Sequence, residues 1–227
     1  MHGRLQLTFA HALGLVDFVL HIDHHLGQLI ASHGPATYAI FFTIVFCETG
    51  LVLTPFLPGD SLLFAAGAFA GIGKLSLPIL LAVFITSAII GDAVNYAVGA
   101  WLGDRATKSK LVSAEAIGRT ERFYAKHGGK TVVLARFVPI IRTFAPFVAG
   151  VGGMAYNKFG LYNVAGAVLW SVLFTGAGFL FGNVPFVERN FSLVVLAIVA
   201  LSVVPVVLEV AAAWREGSAG EGRAGVA

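Results

Sequence analysis

Charge is scarce in this chain: 12% of its 227 residues are Asp, Glu, Lys or Arg, against 57% hydrophobic, and the mean hydropathy is +0.85. Soluble domains carry roughly 25% charged residues, so the composition excludes an ordinary soluble globule and indicates an integral membrane protein. A single cysteine, Cys47, excludes an intrachain disulfide and a multi-cysteine metal site. Beside Glu48 it reads as a small packing residue. Histidine is nearly confined to the start, with His127 the sole one after His33. Hydrolysis of a lipid phosphate needs a nucleophile and a general acid, usually histidine, so this scarcity argues against an enzyme. His21, His24 and His25 with Asp23 have a spacing that could hold a metal on one helical turn. Nothing else completes such a site, so they read as interfacial polar residues, and no metal or cofactor is expected.

What the chain has in abundance is apolar runs, at about 36–47, 51–73, 77–102, 131–156, 160–183 and 191–213. Several approach the ~20 residues that a spanning helix requires. Residues 1–34 lack a clean apolar core with a small-residue cleavage site, so no removable signal peptide is expected. Their apolar positions at helical spacing, interrupted by Asp and His, suit an amphipathic helix in the membrane interface. Residues 105–130 hold Arg105, Lys108, Lys110, Arg119, Arg122, Lys126 and Lys130 against Glu115 and Glu121. By the positive-inside rule this loop is cytoplasmic; it marks topology rather than nucleic-acid binding. The membrane domain then spans 35–214, with repeat 1 at 35–104, repeat 2 at 131–183 and a last transmembrane helix at 191–214. The Gly/Ala-rich tail 215–227 reads as disordered.

The two repeats show in a recurring pattern. Phe56-Leu57-Pro58 is followed by Gly67, Gly99 and Gly103; Phe137-Val138-Pro139 is followed by Gly150, Gly178 and Gly182. The halves look like copies offset by roughly 80 residues. Pro55, Pro58 and Gly59 in the first, and Pro139 and Pro146 in the second, break helical hydrogen bonding inside apolar runs. A membrane tolerates such breaks where protein or a wet cavity satisfies the freed backbone. Each segment therefore reads as a re-entrant helical hairpin, and with one crossing between them the repeats are inverted; the alternative is two proline-kinked spanning helices. The expected fold is an all-α integral membrane protein with two inverted repeats, each a hairpin plus a transmembrane helix, an N-terminal interfacial helix and a C-terminal transmembrane helix. Small residues at Gly166, Gly176, Gly178 and Gly182 permit close helix contact.

Within these hairpins sit Glu48, Asp60, Arg136 and Arg142. An unpaired charge in hydrocarbon costs about 3 kcal/mol even on insertion scales, so such residues pair, line a cavity or handle a substrate. Arginine stays protonated, and its planar fork of donors matches two phosphate or carboxylate oxygens at once. Arg136 and Arg142 could bind an anionic head group or neutralise carboxylates of the other hairpin. Six residues apart, they lie roughly 120° from alignment on an unbroken helix, and Pro139 between them makes convergence possible. Glu48 and Asp60 can lose and regain protons, which suits coupling to a proton gradient; fixed salt bridges are the alternative. Asp92, about one turn from Asn95 and Tyr96, which could hydrogen-bond it or join it in a polar stripe, reads as a supporting site residue, the alternative being a helix-packing polar group. His127 reads as a loop residue before Gly128-Gly129.

Glu48-x-Gly50, Pro55-x-x-Pro58-Gly59-Asp60, Gly91-Asp92 with Asn95-Tyr96, His127-Gly128-Gly129-Lys130 and Arg136-Phe-x-Pro139-x-x-Arg142-Thr-x-x-Pro146 together resemble the DedA family of bacterial membrane proteins, in the VTT-domain superfamily. The resemblance implies a multi-pass protein of the bacterial cytoplasmic (inner) membrane with two opposed re-entrant hairpins. It implies Glu48 and Asp60 as the acidic pair and Arg136 and Arg142 as the arginine pair. It further implies movement of phosphate-bearing lipids such as undecaprenyl phosphate, coupled to protons. The alternatives are a proton-driven small-ion transporter, a membrane-homeostasis protein or a lipid-phosphate phosphatase. Expected partners are membrane lipids and protons, not nucleic acid, and the chain could form a homo-oligomer. A cysteine introduced at Ser113 should be inaccessible to an impermeant thiol reagent in intact cells and react once they are opened. Labelling from outside would refute both the cytoplasmic loop and the inverted repeats.

Overall fold

A backbone surrounded by apolar side chains must satisfy its own N–H and C=O groups, and a helix does so within one segment. The computed structural model describes residues 22–50, 59–102 and 127–182, with single positions between 120 and 125 and between 184 and 197; among them every regular element is helical. Helix α1 spans Ile22–His33, α2 Ala36–Gly50, α3 Gly59–Gly71 and α4 Leu77–Leu102. After a 3-10 turn at Gly128–Lys130 come α5 Thr131–Ala135, α6 Pro139–Val151 and α7 Tyr156–Phe181. Pro55, Pro58 and residues 1–21 lie outside the described residues, as do most of the basic loop, most of 191–214 and the tail 215–227.

α4 and α7 each have 26 residues, a length of about 39 Å that exceeds the ~30 Å hydrocarbon core of a bilayer. Their outer faces expose Ile79, Ile90, Val94 and Val98 on α4 and Leu161, Val164, Leu169, Leu173 and Leu180 on α7. Such a contiguous apolar face is a lipid-contacting surface rather than a solvated one. The polar residues Asp92 and Asn95 of α4 and Asn163 of α7 are turned inward and buried. Between the long helices lies a core built on Phe41, Val45, Leu63, Leu80, Phe84 and Trp170. α1 joins it through Leu26, with Leu29 and Ile30 packed alongside.

The shorter helices form two hairpins that open at opposite ends of α4. In the first, Ser76 N–H donates to the Tyr38 hydroxyl at 2.8 Å, so α2 begins where α3 ends and α4 starts. In the second, the Tyr96 hydroxyl of α4 donates to the Met154 carbonyl just after α6, and Leu102 packs with Phe147 and Val148. Gly129, just before α5, lies against Lys158 and Tyr162 in the first turns of α7. Both ends of that hairpin therefore sit where α4 finishes.

The packing of the described helices is alike in the two halves of the chain. α4 packs on α2 and α6, while α7 packs on α5 and α3. Exchanging α2 with α5, α3 with α6 and α4 with α7 reproduces these four contacts. The glycines follow the same rule. Gly67 of α3 faces the Thr175 carbonyl of α7, as Gly150 of α6 faces the Tyr96 carbonyl of α4; Gly178 faces the Phe64 carbonyl, as Gly99 faces that of Phe147. A Cβ at any of these four positions would run into a backbone oxygen, and backbone cannot step aside as a side chain can. Gly182 receives Ala68 and Gly166 receives Arg136, but Gly176 has open space around it. The expected packing role therefore does not extend to Gly176, which points away from both α3 and α5. Gly178→Ala should destabilise the protein by about 1–3 kcal/mol through overpacking, whereas Gly176→Ala should be neutral or slightly stabilising. Thermal unfolding of the detergent-solubilised variants distinguishes the two.

Candidate functional site

The hairpin tips bring charge to the middle of the bundle. Glu48 lies near the end of α2 and Asp60 in the first turn of α3, where a helix N-terminus favours negative charge. In the second hairpin α5 stops at Ala135, and Val138 is extended (φ −122°, ψ 105°). That is the conformation a residue before proline prefers. Pro139 then starts α6, so the break separates Arg136 from Arg142 and lets them leave in different directions.

Arg142 is gripped by the other hairpin. Its Nη1–H donates to Asp60 Oδ1 at 2.8 Å and its Nη2–H to Glu48 Oε1. The side chains of Arg142, Glu48 and Asp60 are 10%, 2% and 13% exposed. Gly59 lies directly against the Glu48 carboxylate, and a Cβ there would collide with it. Asp60 Oδ1 also accepts Trp170 Nε1–H at 2.8 Å, and the Arg142 guanidinium lies 5.6 Å from the centroid of the Trp170 ring.

Arg136 forms a second, deeper pair. Its Nη2–H donates to Asp92 Oδ2 at 2.5 Å and to Asn163 Oδ1 at 2.7 Å. Asn163 in turn donates to the Ile89 carbonyl at 3.0 Å, tying α7 to α4. Asn95 Nδ2 bridges the hairpins, donating to the Thr49 carbonyl at the end of α2 (3.2 Å) and the Thr143 carbonyl in α6 (2.8 Å). Pro146 opens the α6 ladder nearby, having no N–H for the Arg142 carbonyl. Glu48 Oε2, Asn95 Oδ1 and Arg136 Nε are buried without a hydrogen-bond partner. Buried polar atoms are nearly always paired, so these three keep unused bonding capacity inside the cluster. Among the described residues, the carboxylates Glu48, Asp60 and Asp92 face the guanidiniums of Arg136 and Arg142, one acid in excess.

The sequence reading set Glu48 and Asp60 as a pair against Arg136 and Arg142 as a pair, and in the structure both of these carboxylates reach Arg142. It missed the division of labour, since Arg136 pairs with Asp92 and leaves both hairpin carboxylates to Arg142. Of the two roles open to Asn95 and Tyr96, hydrogen bonding to Asp92 is not the one seen. Asn95 instead donates to the Thr49 and Thr143 carbonyls, and Tyr96 stacks on Phe159 at 4.4 Å and bonds Met154. Asn163 and Trp170 were overlooked; the signal for Asn163 was a lone amide in an apolar spanning run. His127 lies half-buried beside the 3-10 turn. Tyr124, Val148, Ala149, Val151, Gly152 and Met154 line a mostly apolar cavity of about 280 Å³. Burial raises the Tyr124 phenol above its ordinary range, with the Asp92 charge adding to this, and its hydroxyl donates to the Ala145 carbonyl at 3.0 Å.

Residues 57–180 match the VTT domain. Protein DedA of Escherichia coli (strain K12) is 52% identical over 201 residues, covering 86% of this chain and 92% of that protein. The chain belongs to the DedA family of VTT-domain membrane proteins. An uncharacterized membrane protein of Mycobacterium tuberculosis (strain ATCC 25618 / H37Rv) is 38% identical over 187 residues, 80% of this chain and 82% of its own. Inner membrane protein YqjA of Escherichia coli (strain K12) is 32% identical over 151 residues, 65% of this chain and 69% of its own. No solved structure matches the chain. The VTT match takes in Asp60, Asp92, Arg136, Arg142, Asn163 and Trp170, and Glu48 lies just ahead of it. Breaking a buried ion pair by removing one partner costs about 3–5 kcal/mol, so Asp92→Ala should destabilise the protein by that order. Asp92→Ala combined with Arg136→Met should recover most of the loss in thermal unfolding. Simple additivity would show that the pair is not coupled.

Proposed function

We propose that this chain carries phosphate-bearing lipids across the bacterial cytoplasmic membrane, undecaprenyl phosphate foremost, with protons taken up by Glu48 and Asp60 releasing Arg142 for the head group. The observation that carries this reading is the occupation of both arms of one buried guanidinium by two separate carboxylates. A phosphate offers two oxygens to the same fork. At rest Glu48 Oε1 and Asp60 Oδ1 occupy those places. Protonation removes the charge that makes these bonds strong, and a phosphate then replaces the carboxyl groups without leaving the arginine exposed to hydrocarbon. Arg136, with Nε unpartnered, adds a second cation close to the head group. The lipid chain stays in the bilayer along the apolar faces of α4 and α7.

Alternating access follows from the same architecture. The two hairpins are re-entrant and inverted, each entering from one face of the membrane and meeting its counterpart at the ion cluster, an arrangement typical of transporter sites. Their openings at opposite ends of α4 and the exchange of packing partners between halves support this. Proton binding at the open face loads the anion, and proton loss at the other face restores the carboxylate grip and expels it. No covalent step is required, and the chain acts as a carrier rather than an enzyme.

The test is leaflet exchange of a fluorescent prenyl phosphate in proteoliposomes, with and without an imposed pH gradient. Arg142→Lys should lose at least about tenfold in rate although it keeps the charge, because an ammonium cannot hold two oxygens in fixed geometry. Glu48→Gln and Asp60→Asn, checked for folding, should respond little to the gradient. Full activity in the lysine variant would reduce Arg142 to a generic ion-pair partner, and gradient-driven transport in both amide variants would remove the coupling role.

A further inference from the structure

Trp170 is the largest fully buried side chain among the described residues, 1% exposed, and yet it is more than core. Its Nε1–H donates to Asp60 Oδ1, the same oxygen that accepts from Arg142 Nη1, each at 2.8 Å, while its ring flanks the Arg142 guanidinium at 5.6 Å. Trp170 follows Asn163 by seven residues, two helical turns, so both lie on one face of α7. That face presents one side chain to each arginine system: Asn163 to Arg136 and Trp170 to Asp60 and Arg142.

We propose that Trp170 is a positioning residue for Arg142, its N–H anchoring Asp60 and its ring supporting the guanidinium, so that Arg142 stays presented to an anion when the carboxylates lose their charge. This rests on the reading of Arg142 as the head-group ligand. An indole N–H donates to a carboxyl oxygen in either protonation state, so this bond outlasts the charge-assisted one. Without the ring, a guanidinium released by both carboxylates would have no partner for its face, and cation–π attraction strengthens in a desolvated site. The charged groups in the two clusters are Glu48 from α2, Asp60 from α3, Asp92 from α4, Arg136 from the α5–α6 turn and Arg142 from α6; α7 contributes none there.

The test uses the full-length protein in lipid vesicles with Trp101→Phe and Trp214→Phe, leaving Trp170 as its sole indole. Its emission should shift as the pH is lowered, and Asp60→Asn should abolish that shift. In the otherwise unaltered chain, Trp170→Phe keeps a ring but loses the N–H. It should still fold, slow exchange of a fluorescent prenyl phosphate by about tenfold, the usual scale of a hydrogen bond to a charged group, and move the pH profile of exchange. An emission that ignores pH and Asp60→Asn, or a Trp170→Phe protein with the native pH profile, would overturn the proposal. A responsive emission with no movement of prenyl phosphate by the native protein would uphold the Trp170–Asp60 coupling and refute the cargo reading instead.

Discussion

A guanidinium cannot shed its proton under physiological conditions, and Arg142 holds one inside an apolar helical bundle. That charge must be met by protein, and the rest of the central architecture follows from how. Two carboxylates from the opposite hairpin meet it, one per arm. For them to arrive there, α2 must end and α3 must begin at the same depth as the break between α5 and α6. Gly59 must also be glycine, since a side chain would occupy the place of the Glu48 carboxylate. Arg136 solves the same problem differently, with one carboxylate and one amide drawn from the two long helices.

The matching packing of the two halves provides the frame. Each long helix is gripped by the first arm of its own hairpin and the second arm of the other. The second grip is made close by glycines facing carbonyls at corresponding positions. Asp60 and Arg142, which begin equivalent helical arms, meet between the two halves. The frame is alike on both sides while the charges are opposite: an acid in one half, a base in the other. A site of this kind is held together by its own opposite charges and loosened by whatever neutralises them.

Much of this was legible because the membrane makes certain residues conspicuous. Glu48, Asp60 and Arg142 stand out in apolar runs, and Pro139 announces the break that separates the arginines. The repeat is visible in Gly67, Gly99, Gly150 and Gly178, although which carbonyl each approaches is a property of the packed pair. Pairings were less legible. Asn95 sits one turn from Asp92, but its amide is taken by the Thr143 carbonyl of α6 and by the Thr49 carbonyl at the end of α2. The Tyr96 hydroxyl reaches well beyond one turn and finds Met154. Trp170 was hidden because an indole in an apolar run resembles core, and only the position of Asp60 reveals the use of its N–H. Membership of the DedA family was carried by the hairpin motifs, and the relatives bear it out.

The central claim is that anion and carboxylates compete for one arginine, with protons deciding between them. Proton counting tests it most directly. When a prenyl phosphate is added to the purified protein in weakly buffered detergent solution, a pH-sensitive dye should report net proton uptake. A protein carrying both Glu48→Gln and Asp60→Asn should bind with little or none. Binding by the native protein without proton uptake, or with proton release, would contradict the account.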